Sequence, residues 1–113
     1  MGVWLFQDNK NYVEPDIFVV CDKSKFDEEG CKGAPDFIIE ILSASSKRHD
    51  KVTKLGLYDQ AGVREYWIVD LDKRKIAKWH LEQDLDVELY SFDDDVPVSI
   101  CPGFSINLGS EGF

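Results

Sequence analysis

The sequence predicts a mixed α/β, or α+β, fold with one main helix, and three observations support this prediction. Residues 17–21 and 37–42 are rich in β-branched and aromatic side chains, which is typical of buried strands. Residues 46–61 have apolar side chains at helical spacing. Residues 76–81 and 87–92 alternate apolar with polar side chains, which predicts an antiparallel pair with one solvent-facing surface.

Composition places the chain among globular proteins. It has 113 residues, of which 43% are hydrophobic and 31% charged, and this suits one small domain over residues 1–113. The longest apolar run, residues 17–21, is too short to cross a membrane. Residues 1–4 lack the basic and apolar regions of a signal peptide. We therefore expect a cytoplasmic protein rather than a membrane protein or a secreted precursor.

The charge of the chain is strongly acidic, with a net value of −9 and a pI near 4.5. A protein that wraps the phosphate backbone of a nucleic acid is expected to be basic. Any contact with nucleic acid would then need a local basic patch, a metal ion or a partner chain. The simpler interpretation is that the excess acid keeps the domain soluble.

The cysteines and histidines do not predict a metal or disulfide site. Cys21, Cys31 and Cys101 are odd in number and contain no closely spaced pair, so we expect three thiols. His49 and His80 are isolated in the sequence and are not expected to be ligands or bases.

The N-terminal half of the chain predicts three strands. Residues 3–6 form a short apolar segment leading into a turn, and residues 17–21 predict a buried strand. Residues 22–34 are polar and predict a loop. Residues 37–42 are apolar on both faces except at Glu40, which predicts a central strand covered on both sides.

One helix and a third strand follow. The hydroxyls of residues 45–46 suit a helix start, and Gly62 suits its end, so the helix is predicted over about residues 46–61. Residues 65–70 predict a strand parallel to the one before the helix. Residues 97–108 predict a final edge strand or loop. One helix cannot cover both faces of an apolar sheet, so we expect the other face to need a partner subunit or more chain before Met1.

Two carboxylates lie at unexpected positions. Glu40 lies in an apolar strand, where a carboxylate must be protonated, paired or bound to a cation. Asp16 begins the preceding strand, directly after Pro15, and strands at ~4.8 Å spacing would bring the two carboxylates together. A divalent cation would relieve their repulsion, and Mg²⁺ prefers a few carboxylates plus waters. The alternative is that Glu40 is paired with a basic residue and that Asp16 caps a turn.

Lys54 is the candidate basic residue for this site. The predicted helix follows the Glu40 strand at once, so its first turns pass over the end of the sheet near Glu40. A lysine there could reach the carboxylates or a scissile phosphate. The alternative is a surface ion pair with Asp50, four residues earlier, worth about 0.3–0.5 kcal/mol.

The motifs of this region, taken together, resemble those of a known family. They are the segments VEPD at 13–16, GCKGAPD at 30–36, IEILSASS at 39–46 and AGVREYWIVD at 61–70, with Asp50, Lys54 and Tyr58. This combination closely resembles the Uma-type putative restriction endonuclease family, within the PD-(D/E)xK nuclease-like superfamily. The resemblance covers about residues 3–92, and the combination is specific although no single motif is.

The resemblance implies a restriction-endonuclease-like core that hydrolyses DNA phosphodiester bonds with Mg²⁺, or with Mn²⁺ as a substitute. By position, Asp16 and Glu40 match the two metal-binding acids of the family. The superfamily usually places a lysine two residues after the second acid, and this position is Leu42 here. Lys54 matches a relocated lysine that would orient the attacking water and offset transition-state charge. The implied catalytic residues are therefore Asp16, Glu40 and Lys54.

The roles of two matching residues, the oligomeric state and the function itself leave alternatives open. Asp50 and Tyr58 match further family positions, where they would support either the site or the fold. Members of the family carry a longer segment before the point where this chain starts. Its absence predicts a homo-oligomer formed through an uncovered sheet face or edge. A non-catalytic binding or assembly module with the same fold is the competing interpretation, and a DNA mimic presenting acidic residues 93–95 is a third.

Overall fold

A computed structural model describes residues 2–6, 12–13, 15–28, 30–42, 48–82 and 86–109. These residues form a mixed α+β fold with one α-helix and eleven strands. The helix is α1 (Arg48–Ala61), and the strands are β1 (Val3–Trp4), β2 (Tyr12–Val13), β3 (Ile17–Val19), β4 (Phe26–Asp27), β5 (Gly30–Lys32), β6 (Phe37–Leu42), β7 (Glu65–Asp70), β8 (Lys75–His80), β9 (Asp86–Ser91), β10 (Val96–Pro97) and β11 (Ser105–Ile106).

The main sheet has five strands in the order β3-β6-β7-β8-β9. β6 and β7 are parallel and are connected through α1, which confirms the predicted crossover. The other neighbours in this sheet are antiparallel. A small sheet of order β2-β1-β5-β4 and the β10–β11 pair complete the architecture. Among the described residues, no helix has the length and apolar character to span a membrane.

β6 is the central strand that its composition predicts. Ile38 and Leu42 belong to the apolar cluster beneath α1, whereas Phe37 and Ile39 belong to the cluster on the opposite face. Because side chains alternate along a strand, Glu40 shares the helix-facing side with Ile38 and Leu42. Both faces of the strand are buried, and Glu40 itself is only 1% exposed.

The helix ends where the sequence predicts. Gly62 has a φ of 97°, a left-handed conformation that glycine adopts without a Cβ penalty. The Val63 N–H then donates to the Tyr58 carbonyl at 3.1 Å, which closes the last turn. The predicted capping residues 45–46 lie outside the described residues.

Two predictions for the N-terminal half are wrong. Residues 17–21 are not a buried strand, because β3 is an edge strand whose Ile17 is 48% exposed. Residues 22–34 are not a loop, because they contain a 3₁₀ turn at Lys23–Lys25 and the β4–β5 hairpin. Cys31 of this hairpin is buried in the cluster beneath α1, and all three cysteines are free thiols.

The sheet face opposite α1 is also covered, contrary to prediction. The C-terminal arm, residues 96–108, packs there, and its Val96 and Val98 are buried against Trp67 and Ile76. Phe37 and Trp67 meet edge to face in the same cluster, with ring centroids 5.0 Å apart. No partner subunit is needed for this face, because an arm that follows the last long strand folds back over it.

β8 and β9 form the antiparallel pair that their alternation predicts. Lys78 is 1% exposed, because it lies on the face that the C-terminal arm covers. Leu89 pairs with Ala77 on the other face and is 78% exposed. Alternation predicted the two strands, but it did not predict which of their side chains are buried.

Candidate functional site

Glu40 and Asp16 are brought together by the pairing of β3 with β6. The two strands are antiparallel, with Ile17 opposite Ile39. Extending this register by one residue sets Asp16 across from Glu40, and residues directly opposite in an antiparallel pair share a face. The predicted convergence of the two carboxylates therefore follows from the register.

Asp16 also makes a specific backbone contact. Its Oδ2 accepts a hydrogen bond from the Ile41 N–H at 2.8 Å, just beyond the point where β3 stops pairing with β6. Beyond the last paired residue of β3, the Asp16 carboxylate thus takes the place of a strand carbonyl as the partner of a β6 backbone N–H. Asp16 is exposed, whereas Glu40 is buried, so the pair lies where the interior of the domain meets solvent.

Helix α1 supplies two partners for Glu40. Lys54 and Tyr58 are four residues apart and therefore lie on one helix face. The Tyr58 hydroxyl donates to Glu40 Oε1 at 2.8 Å, and the Lys54 ammonium lies 3.7 Å from the same oxygen. Lys54 is 30% exposed, so it can still reach solvent. The side chain of Asp50, the alternative partner of Lys54, lies outside the described residues.

The pKa values of two buried tyrosines, Tyr58 and Tyr66, are raised by burial and by the nearby carboxylates. Burial, followed by the charge of Glu40, raises the pKa of Tyr58 far above its ordinary value of 10.0. Burial, then Glu40 and Asp16, raise the pKa of Tyr66 in the same direction. Both phenols therefore stay protonated.

The predicted residues that the structure assembles are Asp16, Glu40 and Lys54. Leu42, at the superfamily's usual lysine position, is 4% exposed and belongs to the apolar core. An ammonium at that position would be buried beneath α1, whereas Lys54 reaches Glu40 from the helix. The relocated lysine implied by the resemblance is thus adjacent to the acid.

Sequence reasoning underestimated Tyr58. We expected it to support either the site or the fold, but it directly contacts Glu40 and is fully buried. The available signal was its spacing of four residues from Lys54. Tyr66, in β7, is also completely buried and packs against Tyr58.

The donor set suits a hard cation with an incomplete protein shell. Carboxylate oxygens are the ligands that Mg²⁺ prefers, and Mg²⁺ usually keeps several waters or takes substrate phosphate oxygens. Within the described part of the chain, no group of three or more His, Cys, Asp or Glu side chains could hold a metal ion. Asp16 and Glu40 are fewer than such a group contains, so water and phosphate oxygens would have to supply the remaining ligands of a Mg²⁺ ion held by these two carboxylates.

A second buried glutamate, which the sequence did not reveal, lies on the opposite face. Glu65 Oε2 accepts from Trp67 Nε1 at 2.6 Å and lies 3.8 Å from the Lys78 ammonium. Glu65 Oε1 accepts the Ile100 N–H at 3.2 Å, and Lys78 donates to the Pro97 carbonyl at 2.6 Å. These contacts fix the C-terminal arm to the sheet.

The fold is that of a solved nuclease-like protein. The chain is similar to the crystal structure of a protein from Anabaena variabilis, described as a putative nuclease of the DUF820 family. The TM-score is 0.72 at 23% sequence identity, over 96% of this chain and 62% of that one. At this level of identity, the likeness establishes the fold.

Sequence comparison identifies the family. Residues 1–109 match the profile of the Uma2 family, described as putative restriction endonuclease, and the chain belongs to this family. An uncharacterized protein of Synechocystis sp. is 30% identical over 73 residues, which cover 62% of this chain and 41% of that protein. The chain thus spans less than two-thirds of the length of either relative.

Proposed function

We propose that this domain is a Mg²⁺-dependent endonuclease that hydrolyses DNA phosphodiester bonds. The observation that carries the proposal is the meeting of Glu40, Asp16 and Lys54 at one edge of the main sheet. Membership of the Uma2 family supports the same class of activity.

Each residue has a role that its position suits. Asp16 and Glu40 would hold the cation, one from the exposed side and one from the buried side. The ion would supply Lewis-acid stabilisation of the phosphate and would lower the pKa of a bound water. Lys54, partly exposed and beside Glu40, would bind a non-bridging phosphate oxygen and offset the charge that develops there.

Because the chain is acidic, a bound cation would also offset electrostatic repulsion of the substrate. With a net charge of −9, the domain as a whole repels a phosphate backbone. A divalent ion would neutralise the two carboxylates, so that together with the Lys54 ammonium the site becomes positive where the substrate must approach. DNA affinity is therefore expected to depend on the divalent ion as well as on salt.

Cation binding and plasmid cleavage test this proposal. Isothermal titration with Mn²⁺ and Mg²⁺ should show binding to the wild-type chain that Asp16→Asn and Glu40→Gln weaken by at least 100-fold. Both substitutions keep an oxygen that can accept the Ile41 and Tyr58 hydrogen bonds. Glu88→Gln, on the opposite face, is the matched control and should bind normally. Cleavage or binding that survives both site substitutions would refute the residue assignment.

A second candidate function is a non-catalytic assembly module, and the outer edge of β9 favours it. Leu89 is 78% exposed on this edge, and β9 pairs only with β8 among the described strands. We propose a second copy of the chain as its partner. Antiparallel pairing centred on Leu89 would set Glu88 of one copy opposite Tyr90 of the other, so no acidic residue faces another there.

The oligomeric state separates the two candidates. A concentration-dependent dimer in analytical ultracentrifugation, abolished by Leu89→Lys but not by Ile17→Lys on the opposite edge, would support β9 pairing. Dimerisation without Mn²⁺ binding would favour the assembly module over the nuclease. A monomer at all concentrations would refute the β9 interface.

A further inference from the structure

Tyr58 is a fully buried partner of Glu40. Its ring meets that of Tyr66 edge to face, with centroids 5.0 Å apart. The Tyr58 carbonyl accepts the Val63 N–H in the closing turn of α1. Core packing and the end of the helix therefore both restrict the position of the Tyr58 hydroxyl relative to β6.

Lys54 is a different kind of partner. Its ammonium lies 3.7 Å from Glu40, too long for a hydrogen bond of normal geometry, and the side chain is partly exposed. A long, flexible side chain with access to solvent can leave the carboxylate at little cost. The 2.8 Å hydrogen bond from Tyr58 is the shorter and more enclosed contact.

Both contacts are made to the same oxygen, Oε1 of Glu40. A hydrogen bond to this oxygen from the helix side restricts rotation of the carboxylate group, and with it the direction of the other oxygen, Oε2. Without this hydrogen bond the carboxylate would rotate more freely about its last torsion, and binding a cation would require ordering it. A fixed hydrogen bond removes this requirement before the cation arrives.

We propose that Tyr58 is a positioning residue whose hydroxyl orients the Glu40 carboxylate for divalent-cation binding. This inference rests on the proposed cation site. Tyr58 would not touch the ion or the substrate; it would act through Glu40. Removing the hydroxyl should therefore weaken cation binding while leaving the fold in place.

The test compares two tyrosine-to-phenylalanine substitutions by Mn²⁺ titration calorimetry. Tyr58→Phe removes the hydroxyl bonded to Glu40, and we expect Mn²⁺ affinity to fall about 10- to 100-fold. Tyr90→Phe is the matched control, because its hydroxyl also bonds a carboxylate, that of Glu88, on the opposite face. It should keep the wild-type affinity within about twofold.

A stability control separates positioning from folding. Val96→Ala creates a cavity in the cluster on the opposite face of the sheet and should lower the melting temperature without changing Mn²⁺ affinity. A purely structural Tyr58 would make Tyr58→Phe behave like Val96→Ala. Near-ultraviolet difference spectra of the wild-type chain provide a measurement that needs no variant. Mg²⁺ should perturb tyrosine absorption in wild type and not in Glu40→Gln.

The outcomes are distinguishable. Wild-type affinity in Tyr58→Phe, with binding lost in Glu40→Gln, would overturn the positioning role and leave the cation site standing. Mg²⁺ binding without a tyrosine difference signal would also overturn it. Absence of Mn²⁺ binding in the wild-type chain would refute the cation site and the positioning role together.

Discussion

Two buried glutamates on opposite faces of the main sheet have similar partners and different surroundings. Glu40 is held by Tyr58 and lies near Lys54, and Glu65 is held by Trp67 and lies near Lys78. Each glutamate is 1% exposed. The lysines differ, since that beside Glu40 is 30% exposed and that beside Glu65 only 1% exposed.

The second carboxylate and the access to solvent distinguish the two regions. Asp16 faces Glu40 from the edge of the sheet, whereas Glu65 meets the backbone of the C-terminal arm at Ile100. A buried acid with a lysine and an aromatic donor is therefore not by itself evidence of a reactive site. The Glu65 group ties the C-terminal arm to the sheet, whereas the Glu40 group has a second, exposed carboxylate and a partly exposed lysine beside it.

The largest expected effect is on stability and falls on the Glu65 group. Lys78→Met leaves Glu65 as a buried charge without its cation and should destabilise the fold by about 3–5 kcal/mol. Lys54→Met also leaves a buried glutamate without its cation, but it should cost less than Lys78→Met, because Lys54 is 30% exposed and solvent can reach the position that it vacates. Urea unfolding measures the free energy of unfolding of both variants, and equal losses would contradict the distinction between the Glu65 and Glu40 groups. Adding Glu65→Gln to Lys78→Met should recover part of the loss.

The next effect is stabilisation by a divalent cation. A ligand at 100 times its Kd stabilises the native state by about 2.7 kcal/mol. We expect Mn²⁺ to raise the melting temperature of wild type and of Glu65→Gln by the corresponding amount. Glu40→Gln should show no shift. If the increase in melting temperature depended on Glu65 instead, the ion would bind on the face covered by the C-terminal arm, and the proposed site would be refuted.

A smaller effect concerns competition between Lys54 and the cation. The ammonium of Lys54 must give up Glu40 when a cation binds. Because Lys54 is 30% exposed although Glu40 is buried, we take this contact at the upper end of the range for solvent-screened ion pairs, about 1 kcal/mol. Lys54→Met should therefore bind Mn²⁺ up to about fivefold more tightly while losing DNA cleavage. Weaker Mn²⁺ binding in this variant would show that Lys54 supports the ion instead of competing with it.

The smallest effect is a pH dependence on the arm-covered face. The hydrogen bond from Tyr90, followed by that from His80, lowers the pKa of Glu88 below its ordinary 4.5. A carboxylate with a lowered folded-state pKa stabilises the fold above its unfolded-state pKa, and this contribution disappears as pH falls through the folded-state value. The same hydrogen bond raises the pKa of Tyr90 to about 12, so the phenol stays protonated.

Tyr90→Phe measures this contribution. The free energy of unfolding of wild type should exceed that of the variant by a few tenths of a kcal/mol at neutral pH. The difference is small because Glu88 is 41% exposed and partly screened by solvent. Urea unfolding at several pH values should show the difference shrinking below the unfolded-state pKa of Glu88. A difference that stays constant down to acidic pH would contradict the assignment.

The elements around Glu40 were predictable because their signals are local. The apolar run of β6, the helical spacing of α1 and Gly62 at its end each depend on neighbouring residues alone. Once residues 17–21 and 37–42 are predicted as strands, placing them side by side in one sheet is enough to predict that Asp16 lies near Glu40. Lys54 was chosen from family resemblance, because helical spacing alone favoured a surface ion pair equally well.

The amino-acid pattern determined the order of the long elements, the parallel pairing of β6 with β7 and the unusual position of Glu40. Only tertiary structure decided which surfaces are covered. The C-terminal arm lies far along the chain from β6 and β7, so no local pattern could indicate that it buries Lys78. The direct bond from Tyr58 to Glu40 has the same origin, because it depends on how α1 packs across the sheet.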